Sequence, residues 1–204
     1  MDQRNGRGGR GGREHRRGGA ARLSADERLG RFLAFVLRHH PEEMRLTLDE
    51  TGAADLEAVV AGLRGRRGMA GTTRERLERL VSDGPGASRF EITGDRIRAR
   101  YGHSLPQPLE YPPADPPEAL FHGTSPEHAE QILEAGLKPG DRQRVHLSAD
   151  TASAREVGLR RSPDPVILRI DTASASGAGI RFYRAAPLVW LSDDIPPEHI
   201  ARLE

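Results

Sequence analysis

The chain has 204 residues, enough for one large domain or two small ones, and 36% of them are hydrophobic, which suits modest cores. The absence of cysteine excludes disulfides, iron–sulfur clusters, thiolate zinc sites and cysteine nucleophiles, and it suits the reducing cytoplasm in which we expect the protein to act. The net charge is only +1, and no stretch has the apolar length of a membrane span or the pattern of a signal peptide, so no membrane partner is expected.

Residues 1–22 form an arm rich in glycine and arginine, with seven arginines against Asp2 and Glu14. We expect this arm to be disordered and to attract nucleic acid through its charge, without reading sequence. Lys138 is the sole lysine of the chain, so a general preference for arginine is an alternative origin of the pattern. The arm would then be a disordered tail without a partner.

Residues 23–104 predict three short helices followed by a hairpin. The first helix begins at a capping box of Ser24 and Glu27 and stops before Pro41. Its apolar stripe has helical spacing and consists of Leu29, Phe32, Leu33 and Val36.

An alternating segment over 45–49 predicts a short strand after this helix. Two more helices are expected, one capped by Asp55 and one opened by Thr72. Alternating apolar residues then flank a turn at 94–95, which predicts a hairpin. Three helices and a hairpin are typical of a winged helix, a fold that often lays basic residues along nucleic acid.

Six prolines fall within residues 105–117. Proline interrupts helices and is not accommodated in central strands, so neither element is expected there. The composition predicts a stiff, extended linker between two lobes.

Residues 118–204 read as a compact α+β lobe, because short strand patterns outnumber two helices. The first of these helices is capped by Ser125 and stopped by Gly136, and the second spans about 151–161. Strands are expected over 119–124, 144–150, 165–171, 180–185 and 188–193.

Two common sites are missing from the sequence. It contains neither a G-x-x-x-x-G-K-[ST] phosphate loop nor an H-E-x-x-H pair, and its histidines are not spaced with carboxylates as metal ligands are. We therefore expect no metal.

Arg38 and His39 lie at the predicted end of the first helix. Cations at a helix C-terminus interact favourably with its dipole, by about 0.3–1 kcal/mol each, and that alone would explain them. The alternative is that a guanidinium and an imidazole together bind one phosphate.

Further candidates are individually ambiguous. Arg89 precedes the inward-facing Phe90 and should face outward, where it is either a solvated strand residue or a ligand. The histidines of "FHGTS" and "VHLS" are either ordinary half-buried residues or part of a binding site in which Gly123 allows close approach to the backbone. If the strand predicted over 144–150 begins early, Arg142 and Arg144 share a face with His146.

Six segments taken in order carry a more specific signal: "LRHHPE", "RFEI", "YGHS", "LFHGTS", "RVHLS" and "VWLSDDIPPEHI". Together they resemble the RNA 2′-phosphotransferases, enzymes related to the last step of tRNA splicing. The resemblance runs from about Leu23 to Glu204 and leaves out the arm. It implies an α+β protein in which a winged-helix RNA-binding lobe, residues 23–104, is joined by the linker 105–117 to an ADP-ribosyltransferase-like lobe, residues 118–204, that binds NAD.

The resemblance also implies site residues. The catalytic set would be Arg38, His39, Arg89 and Arg142, with Arg144 as a competitor for the last position. The residues expected to bind NAD match two motifs of the second lobe and are His122, Gly123, Thr124, His146, Leu147 and Ser148. The segment "LVWLS" has no glutamate, in keeping with a substrate phosphate that is already a good nucleophile.

The implied reaction transfers an internal RNA 2′-phosphate to the ADP-ribose part of NAD, which is consumed as a co-substrate. Its products would be ADP-ribose 1″,2″-cyclic phosphate, nicotinamide and RNA with a 2′-hydroxyl. The expected partner is RNA that carries a 2′-phosphate, and we expect a monomer. Two alternatives remain: an ADP-ribosyltransferase that caps terminal phosphates of RNA or DNA, and a winged-helix RNA-binding protein without catalysis.

Overall fold

A computed structural model describes residues 23–84 and 87–203. The arm, residues 1–22, lies outside the described residues. The described chain contains helices and two antiparallel sheets, which confirms the α+β class. No helix in this part of the chain is long and apolar enough to cross a membrane.

The first half of the described chain packs three helices against a three-stranded sheet. The helices are α1 (Ala25–Arg38), α2 (Leu56–Arg64) and α3 (Arg74–Ser82). The strands are β1 (Ala53–Asp55), β2 (Phe90–Thr93) and β3 (Arg96–Ala99), in the antiparallel order β1-β3-β2. Their shared core is apolar and fully buried, and its largest members include Leu33, Leu37, Leu56, Leu63, Leu77, Phe90 and Ile97.

Local hydrogen bonds account for where these helices begin. The predicted capping box of α1 is present, since the Ser24 hydroxyl accepts from Glu27 N–H and the Glu27 carboxylate accepts from Ser24 N–H. Asp55 caps α2 as predicted. The cap of α3 is Thr73 rather than Thr72, because the buried Thr72 hydroxyl donates to the Met69 carbonyl instead.

The strand predicted over 45–49 is wrong. A short 3₁₀ helix, Pro41–Met44, ends with Arg45 in the left-handed region (φ 53°), and residues 45–49 form no β-ladder. Asp49 instead organises a turn, since its carboxylate accepts from the N–H groups of Thr51 and Ala53. The apolar alternation reflects residues that pack on the core without pairing with another strand.

The second half is built around a six-stranded antiparallel sheet of order β7-β8-β5-β4-β6-β9. Its strands are β4 (Ala119–Thr124), β5 (Val145–Ser148), β6 (Val166–Asp171), β7 (Phe182–Ala186), β8 (Val189–Ser192) and β9 (Ile200–Arg202). The helices are α4 (Pro126–Ala135), α5 (Thr151–Gly158) and α6 (Thr172–Gly177), followed by a 3₁₀ turn at Pro197–His199. Helix α6 and strand β9 are additions to the elements predicted from sequence.

The proline-rich segment 105–117 contains neither helix nor strand, as predicted. It is nevertheless attached to both halves of the molecule. The Gln143 side chain accepts from Leu109 N–H and donates to the carbonyls of Leu105 and Gln107, while Glu110 N–H donates to the Glu50 carbonyl. The Gln143 amide thus supplies two donors to a segment whose prolines have no N–H of their own.

Candidate active site

Arg38 ends helix α1 with its charged group buried. Its guanidinium carbon lies 4.9 Å from the centre of the Tyr101 ring, and a Cβ built on Gly102 would lie 3.4 Å from three atoms of its side chain. Gly102 has φ +88°, so glycine suits both the backbone and this close approach. The Arg38 Nε and Nη2 atoms are buried and have no hydrogen-bond partner.

The pKa of Arg38 reflects the same surroundings. Burial lowers the pKa, Tyr101 partly offsets this effect, and repulsion from Arg89 and Arg142 lowers the pKa further. Arg38, Arg89 and Arg142 are therefore close enough to interact electrostatically, although they come from widely separated parts of the chain.

His39 caps the end of α1 and is solvent-exposed. Its Nδ1 atom lies 2.7 Å from the Ser104 hydroxyl. Burial lowers its pKa, and repulsion by Arg38, His40 and Arg142 adds to the shift. Neutral imidazole is therefore favoured until an anion arrives.

Arg89 lies just before β2, with its guanidinium against helix α1. A Cβ built on Gly30 would lie 3.1 Å from the Arg89 Nη2 atom, so the absent side chain of Gly30 makes room for this arginine. Its guanidinium carbon is 5.7 Å from the centre of the Phe90 ring. Arg89 is thereby held beside the helix that ends in Arg38 and His39.

Three further arginines of the hairpin each have a carboxylate partner. Arg96 forms an ion pair with Asp49, and both Arg98 and Arg100 form ion pairs with Glu91. Their positive charge is therefore matched locally by these carboxylates.

The structure separates Arg142 from Arg144. Strand β5 begins only at Val145, so the early start that would place both arginines on one strand face with His146 does not occur. Arg144 forms an ion pair with Asp193 and lies 4.8 Å from the centre of the Tyr183 ring. Both contacts of Arg144 are therefore with residues of the second half.

Arg142 has no carboxylate partner within residues 23–84 and 87–203. Although the residue as a whole is exposed, burial of its charged end and repulsion by Arg161 lower its pKa. It also lowers the pKa of Arg38, His39 and His146. Arg142, rather than Arg144, is therefore the arginine of this loop whose charge reaches Arg38 and His39.

His122 and His146 lie on neighbouring strands of the second half. The Nδ1–H of His122 donates to the His146 carbonyl (3.0 Å), and the Nδ1–H of His146 donates to the Arg144 carbonyl (2.9 Å). A carbonyl can only accept, so both Nε2 atoms are acceptors when the rings are neutral. Burial, followed by repulsion from Arg142, lowers the pKa of His146 to about 3. Its Nε2 is buried without a partner.

His146 also connects the halves of the molecule. The His146 ring makes an edge contact with Tyr101, with 6.0 Å between ring centres. Tyr101 in turn lies beneath Arg38, so the two candidate sets meet at the junction of the two halves.

The small residues beside these histidines serve packing. A Cβ on Gly123 would lie 1.7 Å from the Ala154 carbonyl oxygen, so the close approach at this glycine is made by helix α5. The side chains of Thr124, Leu147 and Ser148 are buried. Any contact of Leu147 with a ligand would have to come from its backbone.

Sequence reasoning gave no role to the segment 101–104, which contributes Tyr101, Gly102, His103 and Ser104 to this junction. His103 is buried, and its Nδ1 lies 3.0 Å from the Tyr111 hydroxyl. Burial, with repulsion from Arg38, lowers its pKa to about 3. The motif "YGHS" marked this segment in the sequence, but the contact that each of its residues makes became visible only in the structure.

In the part of the chain that the structure describes, no group of three or more histidine, aspartate or glutamate side chains is arranged to hold a metal ion. The site thus joins a cluster of three arginines and one histidine to two neutral histidines. Such an arrangement suits a protein that binds a phosphorylated ligand.

Comparison with known proteins identifies the family. The model of the RNA 2′-phosphotransferase, Tpt1 / KptA family matches residues 24–194, and the chain belongs to this family. It is 42% identical over 176 residues to a probable RNA 2′-phosphotransferase of Hahella chejuensis, which covers 85% of this chain and 92% of that protein.

Proteins with the same name from two other bacteria are similarly close. The Agrobacterium fabrum protein is 44% identical over 170 residues, covering 81% of this chain and 88% of its own length. The Pseudomonas aeruginosa protein is 43% identical over 177 residues, covering 83% and 93%. The similarity thus extends over most of the chain and most of each relative.

Proposed function

We propose that this protein is an NAD-dependent RNA 2′-phosphotransferase, which removes an internal 2′-phosphate from RNA. The observation that carries the proposal is the buried guanidinium of Arg38, which has unpartnered nitrogen atoms and is repelled by Arg89 and Arg142. Uncompensated buried charge is costly to maintain, so a bound anion is needed to offset it. A phosphate monoester, close to a dianion at pH 7 since its second pKa is ~6, suits three converging guanidinium groups.

In this proposal Arg38, Arg89 and Arg142 bind the transferred phosphate and stabilise the charge that develops on it. Removing one preorganised charge donor of this kind typically lowers the rate by about 10²–10³-fold. His39 holds a proton near the RNA 2′-oxygen. Since an adjacent dianion raises a histidine pKa, phosphate binding opposes the repulsion that keeps the ring neutral, and protonated His39 can then act as an acid.

The second half contains groups that fit NAD. His146 has a buried, neutral ring whose Nε2 is an unsatisfied acceptor, and such an atom is suited to a ribose hydroxyl or an amide N–H. We propose that His122 and His146, with the backbone around Gly123, Thr124, Leu147 and Ser148, hold NAD beside the arginines. When bound, NAD supplies the ADP-ribose that receives the phosphate and the nicotinamide that leaves.

We also propose that residues 23–104 form a winged-helix lobe that binds RNA. The order α1, β1, α2, α3, β2, β3 and the antiparallel sheet support this assignment. Residues 118–204 are then the ADP-ribosyltransferase-like lobe, and 105–117 connect the two. Both lobes contribute to the site, so both substrates meet at their junction.

The test uses a synthetic RNA oligonucleotide with one internal 2′-phosphate, incubated with the full chain with and without NAD. We expect nicotinamide, ADP-ribose 1″,2″-cyclic phosphate and RNA with a 2′-hydroxyl, all dependent on NAD, and none from the same RNA without the phosphate. In the Arg89→Ala variant, RNA that is still joined to ADP-ribose should accumulate. Arg96→Ala, which removes an ion-paired arginine of the same hairpin, is the matched control and should not accumulate this intermediate.

Other outcomes would refute the proposal. A stable ADP-ribose adduct on a terminal phosphate, with no cyclic product, would indicate a capping activity on the same fold. RNA binding without NAD binding or nicotinamide release would indicate a protein that binds RNA and does not catalyse.

A further inference from the structure

The segment 101–104 returns from strand β3 to the end of helix α1. Ser104 makes two contacts there: its N–H donates to the Arg38 carbonyl (3.1 Å), and its hydroxyl lies 2.7 Å from His39 Nδ1. The serine and the histidine are 65 residues apart in the chain. Ser104 therefore binds both the Arg38 carbonyl, which is one of the free carbonyls at the end of α1, and the His39 imidazole that follows it.

The hydroxyl of Ser104 does not form a hydrogen bond inside the core. Its residue is exposed, and His39 is the partner its hydroxyl has among the described residues. Because the contact occupies Nδ1, the His39 nitrogen left for a substrate is Nε2. The contact therefore selects which nitrogen can face the phosphate.

We propose that Ser104 is a positioning residue, which fixes the His39 ring and presents its Nε2 to the phosphate bound by Arg38. This inference rests on the proposed function of the site. It assigns no substrate contact to Ser104, which acts through His39 alone.

A hydroxyl suits this position because it can both donate and accept. It can donate to Nδ1 of the resting neutral ring, whose proton is then on Nε2, and it can accept from Nδ1–H when the ring is charged and after Nε2 has given its proton to the RNA oxygen. The ring can keep one orientation while it loses and regains a proton. A carboxylate can only accept, so it would hold the proton on Nδ1 and leave neutral Nε2 without one.

The charges around His39 give a second reason why a hydroxyl suits this position better than a carboxylate. The charged groups that shift the pKa of His39 are Arg38, His40 and Arg142, and all of them are basic. His39 in turn lowers the pKa of the buried His103 behind it. A carboxylate beside His39 would compete with the phosphate for these cations, whereas a neutral hydroxyl orients the ring without adding negative charge.

The test compares wild type with Ser104→Ala and Ser104→Thr, and uses Ser82→Ala as a control, because Ser82 is an exposed serine that bonds locally on α3. The ring nitrogens of His39 are observed by ¹⁵N NMR and assigned by their absence from the His39→Gln spectrum. We expect Nδ1 of the neutral wild-type ring to be unprotonated. Ser104→Ala should shift protonation towards Nδ1, and Ser104→Thr should restore the wild-type pattern.

Turnover provides the second readout. Loss of about one hydrogen bond predicts a kcat about three- to tenfold lower in Ser104→Ala with an unchanged KM for NAD, and recovery in Ser104→Thr. Unchanged His39 nitrogen shifts in Ser104→Ala would overturn the positioning role. The NMR measurement needs no substrate, so a Ser104-dependent tautomer in a protein that does not transfer phosphate would refute the proposed function alone.

Discussion

Replacing Arg38 by methionine should stabilise the folded protein while abolishing its activity. In the structure the Arg38 Nε and Nη2 atoms are buried without partners, and each unsatisfied buried donor costs about 1–3 kcal/mol. The contact with the Tyr101 ring returns about 0.5–2 kcal/mol of this cost. Methionine fills a similar space without polar atoms, so we expect a net gain of about 1–2 kcal/mol in the free energy of unfolding.

Arg144→Met is the matched control. Arg144 also lies over a tyrosine ring, but its guanidinium forms an ion pair with the half-buried Asp193. Its replacement removes one of three partners of that carboxylate, which keeps Arg181 and Tyr183, and should destabilise the protein by about 0.5–1.5 kcal/mol. Thermal unfolding without ligand provides the measurement, since 1 kcal/mol corresponds to about 2–4 °C for a chain of this size.

The two variants should therefore move the melting temperature in opposite directions. In the assay with 2′-phosphorylated RNA and NAD, Arg38→Met should lose at least about 10²-fold in kcat. A melting temperature lowered as far in Arg38→Met as in Arg144→Met would show that Arg38 is a satisfied structural residue, and the argument for an anion site would fail.

Three further predictions follow from the same contacts. His103 has a folded pKa of about 3 and an unfolded pKa of about 6.5, so the unfolded chain binds the extra proton between these values. His103 should therefore contribute about 1.4 kcal/mol per pH unit to the fall in the free energy of unfolding as pH drops through this window, and His103→Asn should lose this contribution while that of His146 remains. Gly123→Ala should prevent stable folding, measured by soluble yield and circular dichroism, because its Cβ would lie 1.7 Å from a carbonyl oxygen of α5, whereas Gly71→Ala meets nothing within 4 Å and should fold normally. Arg142→Ala should lower kcat by about 10²–10³-fold with little change in melting temperature. If Arg144→Ala instead lowered kcat and Arg142→Ala lowered the melting temperature, the roles of the two arginines would be exchanged.

The sequence predicted those elements whose signals are local. Ser24, Asp55 and Ser125 each cap the helix that follows, because the bond from a capping side chain reaches only two or three residues along the chain. Helix α6 was missed because its residues are small and polar and give no apolar stripe. The strand predicted over 45–49 failed because a strand needs a partner, and the partner of β3 is the later segment Ala53–Asp55.

In the candidate site, too, local signals were predicted from the sequence and contacts between distant residues were not. Arg38 and His39 were marked by their place at a helix end and by the family resemblance. The family resemblance also favoured Arg142 over Arg144, but it did not predict the ion pair of Arg144 with Asp193, 49 residues away, because no local pattern indicates such a pairing. The role of Ser104 was hidden for the same reason, since its partner lies on another element.

Gln143 links these distant parts. Its amide bonds three backbone groups of the segment 105–109, and its own N–H donates to the His103 carbonyl. A single side chain thus sets the spacing between the loop that carries Arg142 and the loop that supports His39. Relatives that lengthen or shorten the proline-rich stretch would have to change position 143 as well, so that the length of one loop and the identity of one amide should vary together during evolution.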